Sequence, residues 1–298
     1  MIGGSCQGEI RAALQPGREK RSDAMNDRID ARGFLVLPAL LIVGVLFAYP
    51  VSWLLILSVT DPEPGLQNFR KLIEASIYFK ALWNTVIISG SVTLLCVLLG
   101  YPIAYAMAHA GERHRRLLIF VVLVPFWSSI LVRTFAWMVL LQQKGLINKT
   151  LIDYLGIIET PLTLIYNRTG VLIGMSHILL PFMILPLYAV LSRIEPNLSQ
   201  AASSLGAPPV RNFLRVYLPL SLPGLLAGSV LVFVMGLGYY ITPALLGGPG
   251  DTMIAQLIEM QIADFGNWGL AGALAVVLLL GTGTTFLFIS RSLIEGVR

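Results

Sequence analysis

The 298-residue chain has little charge: Asp, Glu, Lys and Arg make up 12% of it, about half of what a soluble domain carries. Its two cysteines, Cys6 and Cys96, cannot form a disulfide framework, and no Cys-x-x-Cys pair exists. The sequence also has no phosphate-binding Gly-x-x-x-x-Gly-Lys-Ser/Thr loop, no His-Glu-x-x-His and no Gly-x-Ser-x-Gly. We therefore predict no catalytic residue and no metal site on this chain.

Hydrophobic residues make up 56% of the chain, and most of them lie in long runs. An apolar run of 18 or more residues with few charges predicts a transmembrane helix. Six such runs cover about 34–58, 84–109, 117–142, 170–192, 218–243 and 268–291. The sequence thus predicts an all-α polytopic membrane protein. Its expected partner is the lipid bilayer, and no nucleic acid is expected to bind. We expect a disordered tail at 1–33, a membrane domain at 34–298, and Met25 as the natural start, with 1–24 an extension.

The distribution of Lys and Arg predicts the orientation in the membrane. Fourteen of them lie in the N-terminal tail, 110–116, 193–217 and the C-terminal tail, and six lie in the opposite loops. Because cytoplasmic loops carry the excess, we expect both termini and 193–217 in the cytoplasm. The loop 244–267 has no Lys or Arg and should face outward. Its acidic residues, Asp251, Glu259 and Asp264, could concentrate cations, dock a binding protein or be solvated, and the last two are favoured.

None of the six runs contains Asp or Glu. Ion-coupled transporters usually carry their coupling ion on intramembrane carboxylates, so their absence argues against self-powered transport. A self-contained channel or secondary transporter, or a membrane scaffold, remains the alternative class. Arg133 is the charge inside a run, and it either snorkels to the interface, makes a packing hydrogen bond, or lines a polar cavity. His177 is expected to be a hydrogen-bonded packing residue.

The segment 193–224, RIEPNLSQAASSLGAPPVRNFLRVYLPLSLPG, differs from the runs on either side of it. Glu195-Pro196-Asn197 predicts a helix start, and Leu198 to Leu205 continue the helix. Gly206 suits a left-handed cap, and Pro208 and Pro209 can open a second helix. The pattern predicts a helix, a tight turn and a second helix, forming either a rigid knob for a partner's cleft or an ordinary amphipathic connector.

This segment resembles the cytoplasmic EAA loop of permease subunits from binding-protein-dependent ABC importers with the type I fold. The matching residues are Gln200-Ala201-Ala202, Gly206 and Leu218-Pro219, with Gln200 where the family usually has Glu. That substitution puts a salt bridge from this position in doubt. The resemblance implies six helices in the type I permease fold, with the loop docking in the cleft of an ABC ATPase dimer. The residues implied in docking are Ser199, Gln200, Ala201, Ala202, Ser203, Leu205, Gly206 and Ala207.

Two further stretches, RTFAWMVLLQQKGLIN (133–148) and GYYITPALLGGPGDTMIAQLI (238–258), look like the spermidine/putrescine-type subfamily, closest to its first permease subunit. That subfamily also includes importers of opines, 4-aminobutyrate and aminophosphonates. The resemblance implies a bacterial inner-membrane location, a second and different permease subunit, and a periplasmic substrate-binding protein. It also implies that ATP and Mg²⁺ bind the ATPase and that this chain holds no cofactor.

Aromatic residues near the helix interruptions are candidates for the substrate pathway. Glycine and proline at membrane depth interrupt the fifth run, and such backbone is tolerated where it is buried in protein or lines a cavity. An amine could rest on Tyr239 and Tyr240 of that run, or on Trp127 and Trp137, by cation–π attraction. The competing interpretation is an interfacial aromatic belt. The candidates are Arg133, Trp137, Trp127, Tyr239 and Tyr240.

Overall fold

The computed structural model describes residues 38–296, including their side chains except those of 196 and 288–296. Within this range the chain forms helices and no strand. The helices are α1 (Pro38–Thr60), α2 (Gln67–Glu74), α3 (Ser76–His109), α4 (Glu112–Leu123), α5 (Ile130–Leu141), α6 (Leu146–Lys149), α7 (Arg168–Leu191), α8 (Pro196–Ser204), α9 (Pro209–Leu237), α10 (Ile241–Leu246), α11 (Ile254–Ala263) and α12 (Trp268–Gly296). The predicted disordered tail at 1–33 and the predicted start at Met25 lie outside the described residues.

Six stretches of the described chain are helical, long and apolar enough to cross a membrane. They are α1, α3, the stretch Ile130–Tyr154, α7, α9 and the part of α12 that ends at Leu287. The prediction of an all-α protein with six membrane helices is confirmed. Several bounds differ from the hydropathy runs, since α3 begins at Ser76 and α9 at Pro209. Polar residues at these ends lower the local hydropathy without ending the helix.

The third run, 117–142, was expected to be one helix, and this expectation is wrong. Helix α4 ends at Leu123, a 3₁₀ turn covers Val124–Trp127, and Ser128 and Ser129 are extended before α5 begins. Pro125 has no N–H to continue the α-helical hydrogen bonds, so the helix tightens and stops. As a result, Arg133 lies in the first turn of α5, where its backbone N–H donates to the Ser129 carbonyl at 3.1 Å.

The chain divides into two units, one up to Ile56 and one from Leu57. The second unit contains a core in which α3, α7 and α9 pack together. Two glycines allow α9 to approach α7 closely: a Cβ added at Gly224 would lie 3.1 Å from the Leu187 Cα, and one at Gly228 would lie 3.0 Å from the Met183 carbonyl oxygen. Close backbone contact of this kind is how membrane helices associate without a hydrophobic drive.

Helix α9 ends at Leu237, before the end of the predicted run 218–243. Gly238 has a non-helical backbone, and the chain resumes as the short helix α10. A non-helical stretch with a turn at 249–250 then leads to Met253. Thr242, Pro243 and Leu246 of α10 are buried. The glycine- and proline-rich sequence therefore interrupts the helix, as predicted, and α10 is held inside the protein.

Candidate functional site

A group of polar and aromatic side chains meets where α5, α7 and α10 come together. We call it the polar cluster; it consists of Arg133, Thr134, Trp137, His177, Tyr239 and Thr242. The Trp137 indole N–H donates to His177 Nδ1 at 3.2 Å, and the two rings make an edge contact. The hydroxyls of Thr134 and Thr242 lie 3.3 Å apart and join α5 to α10. Three of the five predicted pathway residues, Arg133, Trp137 and Tyr239, thus belong to one cluster.

Two polar atoms of the cluster are buried without a well-formed hydrogen bond among the described residues. Arg133 Nε has no partner there, although the Arg133 charge interacts electrostatically with His177 and Tyr239. The Tyr239 hydroxyl lies beside Thr242 but outside good hydrogen-bonding geometry. An unsatisfied buried donor costs about 1–3 kcal/mol. Water or a ligand can satisfy such donors, and the role of these residues in a substrate pathway stays a prediction.

The other two predicted pathway residues make different contacts. Trp127 is 74% exposed, and its ring contacts Phe120, with centroids 6.4 Å apart. Tyr240 is exposed and interacts with Glu259 and, more weakly, with Asp264. Tyr240 therefore lies beside Glu259 of α11 and Asp264 at its C-terminal end, and the pathway role of Trp127 stays a prediction.

The predicted helix, turn and second helix are present as α8, a tight turn and α9. Gly206 has φ +80°, in the left-handed region, and its N–H donates to the Ser203 carbonyl at 2.9 Å. The Ala207 N–H donates to the Ala202 carbonyl at 3.1 Å, which completes a Schellman motif. This pair of hydrogen bonds fixes the direction in which the chain leaves α8. The role of the segment in coupling stays a prediction.

The surface of this turn is apolar and exposed. Leu205 is 89% exposed, and Val210 on the following helix is 69% exposed. Gln200, Ala201 and Ser203 of α8 are exposed as well. Leu205 and Val210 therefore add apolar surface to the exposed side of this turn.

Helix α8 is attached to α9, and α9 to α3, by specific contacts. The Asn212 side-chain amide donates to Ser199 Oγ at 2.6 Å, which ties α8 to the start of α9. One turn further, Phe213 and Tyr217 pack edge-on against Tyr105 of α3, and the Tyr217 hydroxyl lies 3.0 Å from His109 Nε2. The knob, which consists of α8 and the turn up to Pro208, is therefore connected through the start of α9 to α3.

The three acidic residues predicted for the outer loop have different environments. Glu259 and Asp264 are exposed, as a solvated or docking residue would be. Asp251 differs, because its side chain is only 14% exposed and accepts a hydrogen bond from Arg168 Nε at 3.0 Å. The expectation of a solvated Asp251 is therefore wrong: an arginine 83 positions away neutralises it. In the sequence, only the Lys and Arg count bears on this ion pair, because it predicts that Arg168 and Asp251 lie on the same side of the membrane.

Comparisons with known proteins show the family to which this sequence is similar. Residues 96–296 match the family model described as binding-protein-dependent transport system inner membrane component. The chain is 34% identical over 254 residues to the spermidine/putrescine transport system permease protein PotB of Haemophilus influenzae, covering 82% of this chain and 84% of that protein. Its identity to PotB of Escherichia coli K12 is 32% over 259 residues, covering 87% and 92%.

A solved structure shows the same fold. The crystal structure of a bacterial ABC transporter involved in the import of the acidic polysaccharide alginate matches with a TM-score of 0.70 at 19% identity. The match covers 92% of this chain and 99% of the chain in that transporter. The helices of this chain are therefore arranged as in that transporter chain.

Proposed function

Because the chain belongs to the family of binding-protein-dependent transport system inner membrane components, we propose that it forms half of the translocation pathway of an ATP-driven importer. The other half is a second, different permease subunit. A periplasmic binding protein delivers the substrate, and ATP and Mg²⁺ bind a separate ATPase dimer. Both termini and the α8 knob lie in the cytoplasm. The absence of a phosphate-binding loop in the sequence supports this division of labour.

The residues Ser199–Ala207 dock in the ATPase cleft and pass its closure to the membrane helices. The exposed Leu205 on a rigid turn is the observation that carries this proposal. A fixed turn matters because closure of the ATPase can move the helices only through a connection that does not bend. Gln200 is exposed and uncharged, so its contribution to docking is hydrogen bonding and not a salt bridge.

The substrate is a small amine such as spermidine or putrescine, in keeping with the similarity to the spermidine/putrescine permease PotB. Trp137 and Tyr239 of the polar cluster line the path, and Tyr240 lies towards its outer end. Trp127 precedes α5 and lies on the cytoplasmic side of Trp137. A ring face attracts an ammonium group by about 0.5–2 kcal/mol. The alternative substrates are an opine, 4-aminobutyrate or an aminophosphonate, whose anionic group Arg133 would attract. Uptake of polyamines and of these alternative compounds by the complete transporter in proteoliposomes distinguishes the two substrate classes.

The test of docking is Gly206→Pro. Proline requires φ near −65° and has no N–H, so it can neither adopt the +80° of this position nor donate to Ser203. We expect normal membrane insertion, loss of copurification with the ATPase, and loss of ATP-dependent uptake. The matched control is Gly111→Pro in the loop between α3 and α4, because Gly111 has φ −59° and the preceding Ala110 is extended.

Two outcomes would count against the proposal. Normal uptake by the Gly206→Pro protein would remove the docking role from this turn. Substrate accumulation in vesicles that contain this chain without ATP and without an ATPase would instead favour a self-contained channel or secondary transporter.

A further inference from the structure

One arginine connects three separate parts of the outer side of the protein. Arg168 is the first residue of α7; its Nε donates to Asp251 Oδ1 at 3.0 Å, and its Nη2 donates to Asn84 Oδ1 of α3 at 2.9 Å. The Asn84 amide in turn donates to the carbonyl oxygens of Gly250 at 2.7 Å and Thr252 at 3.3 Å. A guanidinium and an amide therefore hold residues 247–253, which we call the outer segment, against α3 and α7.

The burial of these groups makes the connection stronger than a surface ion pair. Asn84 is buried, the Asp251 side chain is 14% exposed and the Arg168 side chain is 42% exposed. Charge-assisted hydrogen bonds are roughly twice as strong as neutral ones, and a planar guanidinium can make two of them at once. Because 244–267 contains no Lys or Arg, the partner of Asp251 has to come from another part of the chain.

The outer segment is also fixed at both of its ends. On one side the Asn167 N–H donates to the Leu246 carbonyl at 3.2 Å, and a Cβ at Gly248 would lie 2.5 Å from the Tyr166 carbonyl oxygen. On the other side the Ile254 N–H donates to Thr85 Oγ1 at 2.9 Å. The segment thus follows α3 and α7 along its whole length and is not a free loop.

We propose that Arg168 is a positioning residue for transport: it makes the outer segment, α10 and α11 move as one body with α3 and α7 when the path opens outward. A hinged lid would have to break this network at each cycle. A rigid body keeps it, and keeps the Tyr239 end of α10 in place while the ATPase acts. This inference takes the proposed transport role as given.

The test uses charge-removing variants in the complete reconstituted transporter. Arg168→Gln leaves a mostly desolvated carboxylate unpaired, so the outer segment should loosen, and substrate moved per ATP hydrolysed should fall by about five- to tenfold. Asp251→Asn, the milder variant, should lower this ratio less. The double variant Arg168→Gln/Asp251→Asn lacks the same connection but has no unpaired carboxylate, so its ratio should be no lower than that of Arg168→Gln. Membrane level and ATPase copurification should stay normal in all three.

The matched control is Arg70→Gln on α2. Arg70 makes an ion pair with Glu74, but both side chains are more than half exposed, so the pair contributes little. A substrate-to-ATP ratio in Arg168→Gln equal to that in Arg70→Gln would overturn the inference, and so would a double variant clearly poorer than Arg168→Gln. If Arg168→Gln does not reach the membrane, Asp251→Asn decides by the same comparison. Failure of the docking role would show separately, as normal uptake by Gly206→Pro.

Discussion

The hydrogen bond between Asn212 and Ser199 should determine how firmly α8 is held for docking. Asn212 is 9% exposed, and its amide lies 2.6 Å from Ser199 Oγ and 3.5 Å from the Ser199 carbonyl oxygen, at the limit of a hydrogen bond. Only the 2.6 Å contact is counted here as a full hydrogen bond. Replacing Asn212 by Ala therefore removes about one net hydrogen bond, worth about 1 kcal/mol, because the other amide atom, Oδ1, has no partner among the described residues.

A loss of about 1 kcal/mol changes an equilibrium constant roughly fivefold. If the ATPase binds α8 only where Asn212 holds it, the apparent affinity of the purified permease complex for the ATPase falls by up to about that factor. Titration of the solubilised complex with the ATPase subunit measures it. Ser203→Ala is the control, since the Ser203 hydroxyl is exposed and donates to the Ser199 carbonyl within the same helix.

A double-mutant cycle provides the sharper test. Ser199→Ala should weaken binding as much as Asn212→Ala does, and the double variant should be no worse than either, because the two single variants remove the same hydrogen bond. Additive effects, which would give about a twenty-fivefold loss, would refute the reasoning. So would an Asn212→Ala protein that binds the ATPase as well as Ser203→Ala.

Three further predictions concern the membrane core. Asn148→Ala removes a buried side chain that makes hydrogen bonds with the Gln142 carbonyl and with both polar backbone groups of Leu162. The free energy of unfolding of the detergent-solubilised protein should fall by about 2–4 kcal/mol, and its melting temperature should fall with it. Lys149→Ala, at the exposed neighbouring position, should leave the melting temperature unchanged. Gly228→Val places a side chain against Met183 and should destabilise the folded protein by about 1–3 kcal/mol. The control is Gly281→Val, which should leave the melting temperature unchanged because no other atom lies close to that position. Trp137→Phe loses the bond to His177 and should slow uptake by up to about fivefold without changing assembly; unchanged uptake would argue against a path at the polar cluster.

The membrane helices and the knob could be predicted because local sequence determines them. Bilayer thickness requires a long apolar run, which is visible in composition alone. The turn at Gly206 depends on glycine and proline within a few residues, and the structure shows the left-handed glycine that the sequence predicts. The proposed docking surface is formed by the same few residues. Its apolar tip, Leu205, needed the structure, because exposure depends on what surrounds a residue.

The break before α5 and the network around Arg168 could not be predicted in the same way. Hydropathy averaged over a run does not register that Pro125 ends a helix, since the flanking residues are as apolar as those of a continuous span. Arg168, Asn84 and Asp251 meet only after α3, α7 and the outer segment have packed. Positions 83 and 84 residues apart carry no local pattern that links them. Charge counting can place such residues on one side of the membrane but cannot pair them.

The polar cluster contains opposing effects for an amine substrate. The rings of Trp137 and Tyr239 attract an ammonium group, but the fixed charge of Arg133 interacts with Tyr239 and repels the same group. None of the predicted spans supplies a carboxylate to offset that repulsion. A polyamine in this path would therefore be held weakly, which suits a site that must release its substrate to the other side. Under the proposed function, tight and selective binding of the substrate then belongs to the periplasmic binding protein. Arg133 keeps the affinity of the path for the substrate below that of the binding protein.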